Sequence, residues 1–312
     1  MTSEAVTQSK FKAKRRPADV IYQGVATGAG MLILVSLALV AIFLIWQSIP
    51  AMIGELPGPR DNFLDYVAPL AFGTVWSSFL AMLIAVPVAI SIALYITHFA
   101  PRRLSSIMGY IIDLLAAVPS VVYGLWGMSV LALFMQPAYV WLSENLGWIP
   151  LFAGQPSGTG RTMFTAAIVL AVMVLPIITA LCREVFLQTP RLHEEAALAL
   201  GATRWEMIKM SVLPFGASGI VSASILGLGR ALGETMAVAM VLSPAVLISF
   251  VVTSSQNPAT IASNIALNFP ESYGITANAL IGSGLVLFAI TIVVNGLARY
   301  IIGRNPRTGG KK

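Results

Sequence analysis

The chain predicts an all-α, polytopic integral membrane protein with six transmembrane helices, and three observations predict it. Of its 312 residues, 57% are hydrophobic and only 10% are charged, a balance that a soluble domain of this length does not have. The apolar residues gather into six runs, each near or above the roughly 20 residues that a helix needs to cross a bilayer. The positive charges collect in alternate connections between those runs, the pattern that sets membrane topology.

Residues 1–27 begin polar and basic, with Lys10, Lys12, Lys14, Arg15 and Arg16. They are too polar to bury and read as a cytoplasmic tail. The first apolar run is Gly28 to Ile49. A basic flank before such a run also fits a signal peptide, but the run is long for one and no small-x-small cleavage site follows, which favours an uncleaved anchor. Further spans are predicted over about 69–97, 107–135, 162–182, 215–249 and 278–298, with internal prolines at Pro87, Pro119, Pro176 and Pro244. Neighbouring helices satisfy the carbonyls that such prolines free. The membrane domain is therefore 28–302, followed by a short tail, 303–312.

With the N-terminus inside, the inner set of basic residues comprises the five of the tail, Arg102 and Arg103, then Arg183, Arg191, Arg204 and Lys209, then Arg299, Arg304, Arg307, Lys311 and Lys312. Only Arg60 and Arg161 fall outside. The asymmetry predicts that both termini are cytoplasmic. It also accounts for the formal charge of +6 through topology and anionic lipid headgroups, with no nucleic acid. Three outer loops remain: 50–68 with Glu55, Asp61 and Asp65; 136–161 with Trp141, Trp148 and Phe152; and 250–277, which holds a candidate short interfacial helix. The aromatics read as interface anchors. Cys182 is the only cysteine and lies in an apolar run, so it reads as a small core hydrophobe. His98 and His193 have no ligand-like spacing, and no metal site is expected.

Arg230 and Glu234 stand inside the fifth run, in LGLGRALGETM (226–236). A charge at that depth costs roughly 2.5–3.5 kcal/mol on insertion scales. Four residues apart on a continuous helix, the two would share one face. Arg230 lies fifteen residues beyond Phe215, about 22 Å at 1.5 Å per residue, near or past the midplane. A guanidinium suits an oxyanion because its planar donors form paired charge-assisted bonds, so this face is expected to line an anion path. Glu234 is open to two roles: neutralising Arg230 when the path is empty, or accepting a hydrogen bond from a protonated oxyanion. A purely structural ion pair is the competing reading. Asp113, near the inner end of the third run, is a further candidate for the path or a hydrated helix end. Ser120, Tyr123 and Thr74 fit either a path or bonds between helices. Gly227, Gly229 and Gly233 are not a dinucleotide fingerprint, since no strand precedes them; they read as helix-packing glycines, and the row Gly219, Ala223, Gly227, Ala231 is expected to face a second subunit.

The inner loop 183–213 is long for a connector. Thr189 is expected to cap a first short helix with Pro190 at its first position, Gly201 to end it in a left-handed conformation, and Thr203 with Glu206 to form a capping box for a second. Within this loop Glu195, Ala196, Ala197, Gly201, Leu213 and Pro214 resemble the EAA loop of ATP-binding-cassette (ABC) importer permeases, EAA-x3-G-x9-I-x-L-P. Ser211 replaces the usual isoleucine, with Val212 expected to supply the apolar contact. The stretches 74–97, 115–127 and 226–238 are similar to the permease subunits of phosphate importers. The resemblance implies the type I importer permease (MetI-like) fold in a bacterial inner membrane. It also implies a coupling role for Glu194, Glu195, Ala196, Ala197, Gly201, Leu213 and Pro214. The implied partners are a second permease subunit, an ATPase dimer that binds ATP and Mg, and a phosphate-binding protein, periplasmic or lipid-anchored. The chain has no G-x4-G-K-[ST] pattern, so it is expected to bind no nucleotide cofactor and to be no enzyme itself. A permease for molybdate or phosphonate, and an ion-driven secondary transporter, are the alternatives.

Overall fold

The computed structural model describes residues 17–54, 56, 62–245 and 247–303. The chain forms two compact units, Met1–Trp46 and Gln47–Lys312. The described part of the first belongs to helix α1 (Pro17–Ile53), whose apolar side chains, such as Leu32, Leu34 and Trp46, are exposed. The helix starts eleven residues before Gly28, inside the stretch 1–27 read as a tail; most of that stretch lies outside the described residues.

In the second unit, α2 (Phe63–Leu94) runs on through a π-helical turn, Tyr95–Phe99. Next come α3 (Arg102–Ala116) and α4 (Ser120–Trp126), and a second π turn joins α4 to α5 (Ala132–Leu146). After α6 (Met163–Leu187) follow α7 (Arg191–Ala199) and α8 (Arg204–Met207); a third π turn leads from α8 into α9 (Leu213–Leu232). The chain closes with α10 (Met236–Val241), α11 (Ile261–Asn268) and α12 (Ile275–Gly303). Two short parallel strands, β1 (Pro244–Ala245) and β2 (Asn257–Pro258), join the segments on either side of the outer loop. Among the described residues, six helical segments are long and apolar enough to cross a membrane.

Helix α6 is the axis of this unit. Leu170, Val174, Ile178, Cys182 and Phe186 recur every fourth residue and are almost wholly buried, the spacing of one helix face. Against it, α2 sets Ala81, Ala85, Ala89 and Ala93, all fully buried. A stripe of small residues at i, i+4 lets two helix backbones approach closely, which drives packing where lipid removes the hydrophobic gain. The other flank of α6 receives α9.

Two predicted spans shift. The third is Ser120–Leu146 instead of 107–135. Residues 102–116 form a separate amphipathic helix, because Pro119 removes a donor and biases Val118 away from helix; Pro119 is the N-cap of α4. Gly109 of α3 lies under the Arg183 guanidinium, where an added Cβ would stand 3.0 Å from Cζ, so α3 packs on the C-terminal end of α6. The fifth span begins at Arg204, ends at Leu232, and is followed by the short α10. Pro244 lies in β1, and only Pro87 and Pro176 of the four named prolines are inside helices.

Candidate functional site

Helix α9 stops two residues after Arg230. Gly233 is its C-cap, with φ −91° and ψ 0°, Thr235 is the N-cap of α10, and α10 starts at Met236. Arg230 and Glu234 therefore do not share a continuous helix face, contrary to the sequence expectation; a glycine followed by Glu-Thr stops one helix and starts another. Among the described residues the ion pairs are His98–Glu194 and Arg183–Glu184, so Arg230 and Glu234 form no ion pair here, the reading that competed with an anion path. Glu234 is buried, and its Oε1 accepts from Ala237 N at 3.1 Å, capping α10. Arg230 is exposed in the last turn of α9. Each charge sits at the helix end that its sign favours, the cation at a C-terminus and the anion at an N-terminus. The other end of α10 is held by Arg161, whose Nη2 donates to Met240 O at 2.7 Å. Sequence reading assigned Arg161 only to the outer loop. A half-buried cation beside the end of a broken helix was its available signal, but the break itself was missed.

Arg230 opens into a groove of about 590 Å3 between α6, α9 and α12, lined also by Ile177, Ser222, Leu226, Gly229, Asn295 and Arg299. Tyr123 lies within electrostatic reach of Arg230, and its hydroxyl donates to Leu115 O at 2.9 Å across the α3–α4 break. Ser120 is the first residue of α4. Thr74 belongs to packing: its Oγ1 donates to Leu70 O and accepts from Ile261 N at 2.9 Å. Asp113 is exposed on amphipathic α3, away from the third span in which it was predicted. The three glycines separate. An added Cβ at Gly227 would stand 2.7 Å from Ile178 Cδ1 of α6, whereas Gly229 has no neighbour within 4 Å and Gly233 meets only the Gly229 carbonyl at 3.6 Å. Gly229 is thus part of the groove wall and Gly233 the helix stop; neither packs a helix within this chain. The row Gly219, Ala223, Gly227, Ala231 faces inward: Gly219 is against Val185, Gly227 against Ile178, and both alanines are buried. It does not face a second subunit.

At the N-terminal end of α9 the loop 183–213 is a built element. Thr203 Oγ1 accepts from Glu206 N at 3.3 Å, and Thr203 N donates back to Glu206 Oε2 at 2.8 Å, a full capping box. Gly201 has φ +86°, a conformation that side chains bearing a Cβ resist. The N-cap of α7 is Pro190, not Thr189; the hydroxyl of Thr189 is buried without a partner. Instead of forming a second free-standing helix, α8 passes through its π turn into α9, one segment from Arg204 to Leu232. Ser211 donates to His193 O at 3.2 Å and Val212 is fully buried, so the hydroxyl ties the segment to α7 and Val212 fills the apolar place. Glu194 sits 3.5 Å from His98 Nε2 at the end of the α2 segment. Ala197 is buried, while Glu195, Ala196 and Gly201 are exposed. Leu192, Leu200, Trp205 and Met210 are exposed as well, and a surface cavity of about 510 Å3 is lined by Ala196, Ala197, Leu200, Met210, Ser211 and Pro214. Leu213, beside it, is partly buried in the core.

A broken membrane helix with an arginine in its last turn, rooted in a rigid loop that presents apolar side chains outside the spans, defines the class: a multi-pass transport permease. The profile of the family described as "Binding-protein-dependent transport system inner membrane component" matches residues 85–305. The chain is 44% identical to the phosphate transport system permease protein PstC 2 of Mycobacterium tuberculosis, covering 97% of this chain and 98% of the relative. It is 39% identical to the PstC protein of Mesorhizobium japonicum, covering 98% and 97%. The chain therefore belongs to the binding-protein-dependent transport system inner membrane components, within their PstC branch. Among solved structures, a bacterial alginate ABC transporter in complex with a periplasmic protein matches with a TM-score of 0.63 at 17% identity, covering 94% of this chain and 97% of that one. At that identity the likeness is one of fold, the ABC importer permease fold.

Proposed function

We propose that the chain is the permease subunit of an ABC importer that carries inorganic phosphate from an external binding protein into the cytoplasm. The observation that carries this reading is the placement of Arg230. It stands in a groove, in the last turn of a helical segment that begins at Arg204 behind the Thr203–Glu206 capping box. The relatives named for phosphate transport, matched over nearly the whole chain, supply the substrate class.

In this reading the guanidinium of Arg230 receives the anion by paired charge-assisted hydrogen bonds, in surroundings where water and protein replace lipid. Asp113, exposed on α3, plays no part in that contact. Glu234 holds α10 and, with it, the backbone around the break. The surface formed by Glu194, Glu195, Ala196, Ala197, Gly201, Leu213 and Pro214 docks an ATPase dimer (PstB-like), which supplies ATP and Mg. A second permease (PstA-like) completes the path, and a phosphate-binding protein (PstS-like) delivers the anion at the opposite face. The complex sits in the bacterial inner membrane, with both termini of this chain cytoplasmic. ATP binding and hydrolysis on the partner move α7 and the rigid α8–α9 segment together, and Arg230 with them.

The test is phosphate uptake by the whole complex in proteoliposomes. Wild type transports phosphate only with ATP and the binding protein, and Arg230→Gln removes uptake while the complex assembles normally. Uptake that persists in Arg230→Gln removes the role of Arg230. Preference for molybdate or phosphonate over phosphate removes the substrate assignment.

A further inference from the structure

The groove that receives Arg230 has a second basic end. Arg230 is two residues from the end of α9, and Arg299 is four residues from the end of α12. These are consecutive spans, so their C-terminal ends lie on opposite sides of the membrane. Yet both arginines line one groove. On α9 its wall runs from Ser222 to Arg230, about 12 Å at 1.5 Å per residue. The groove is lined as well by Asn295, one turn before Arg299 on the same face of α12. Its Oδ1 is buried and accepts no hydrogen bond among the described residues.

By sequence, Arg299 is one more topology-setting charge. In the structure it belongs to a cavity wall with another arginine, and two cations facing one space repel each other unless an anion or water lies between them. The cavity volume of about 590 Å3 corresponds to roughly twenty waters at about 30 Å3 each, so a phosphate fits there with part of its hydration. Asn295 adds a group that neither arginine has. Guanidinium only donates, whereas an amide carries an acceptor oxygen as well as donors, whichever way it is turned. An acceptor beside two guanidiniums has no partner on a fully deprotonated oxyanion, but it suits one that keeps a proton.

We propose that Asn295 and Arg299 form a second anion subsite on the cytoplasmic side of Arg230, which takes a protonated oxyanion, hydrogen phosphate, as it leaves that arginine. The proposal rests on the reading of Arg230 as part of the anion path. Arg299 supplies the charge, Asn295 accepts the P–OH hydrogen bond, and Ser222 and Gly229 keep the intervening wall open to water.

The experiment uses the assembled complex in proteoliposomes and measures uptake of radiolabelled inorganic phosphate and binding-protein-stimulated ATP hydrolysis, each per complex. In Arg299→Gln, and in Asn295→Leu, uptake falls about tenfold, as for loss of a charge-assisted contact or a hydrogen bond, while ATP hydrolysis stays within about twofold. Arg299→Lys keeps the charge and recovers most of the uptake. A charge that served only topology or lipid anchoring would leave uptake per assembled complex unchanged. Uptake within twofold of wild type in both Arg299→Gln and Asn295→Leu, alongside loss in Arg230→Gln, overturns the subsite and leaves the Arg230 path standing. If Arg230→Gln also transports normally, the path itself falls. A second measurement covers variants that fail to assemble. Cys182 is the chain's only cysteine and is fully buried, so Asn295→Cys reports alone for this subunit. Faster modification by an anionic thiosulfonate than by a cationic one of similar size supports the subsite, and the reverse order or no reaction overturns it.

Discussion

Arg230 and Glu234 show what a single residue's position adds to its chemistry. As a spacing of four they suggested a pair on one face, but with a helix stop between them they are two end charges with separate duties. Glu234 caps α10 through Ala237 N, and a glutamine keeps that acceptor. Glu234→Gln is thus expected to assemble, with a melting temperature close to wild type. Glu234→Leu leaves a buried N–H unpaired and costs about 0.5–2 kcal/mol, read as a lower melting temperature of the purified complex. Equal melting of the two variants would remove the cap as the role of Glu234. Arg230 was legible in the sequence because charge inside an apolar run has few explanations. The break was less so: Gly233 was grouped with Gly227 and Gly229 as a packing residue, and only the close approach of Ile178 to Gly227 tells the three apart.

Among the elements, α7 and the α8–α9 segment were the most legible, since capping and turn chemistry are local. Gly201 and the Thr203–Glu206 box lie within a few residues of the ends they define. The α7 start was off by one because Pro190 could serve as first helical residue or as cap. The third span was misplaced for a different reason. The mixed pattern of 102–116 runs into an apolar stretch across Pro119, and hydropathy alone does not separate an amphipathic helix lying along the α6 end from one that crosses. Two predictions belong here. Gly227→Leu forces a side chain against Ile178, an overpacking that costs about 1–3 kcal/mol and lowers the melting temperature, whereas Gly229→Ala faces open groove and leaves it near wild type. Glu195→Lys, at an exposed position, is expected to release the ATPase from the purified complex without unfolding the permease, and Gly201→Trp to release it also by straining the turn between α7 and α8, where φ is +86°. Co-purification that survives both substitutions removes the docking role of this loop.

For the whole molecule, the sequence carried the number of spans and the sidedness of charge, while the groove required the fold. No spacing rule relates Arg230 to Arg299, because the contact between their helices depends on how α9 and α12 settle beside α6. Arg299 thus leaves the set of purely topological charges, but the remaining inner residues still far outnumber Arg60 and Arg161. The orientation they impose has a direct readout. Ser106 on α3 and Trp148 after α5 are both exposed, and the Ser120–Leu146 span separates them. Buried Cys182 needs no replacement as background. A membrane-impermeant maleimide added to intact cells is expected to label Trp148→Cys and spare Ser106→Cys, with both labelled once the membrane is opened. Labelling of Ser106→Cys from outside would invert the molecule. It would then place the α7–α8 surface on the side of the binding protein, where no ATPase could reach it.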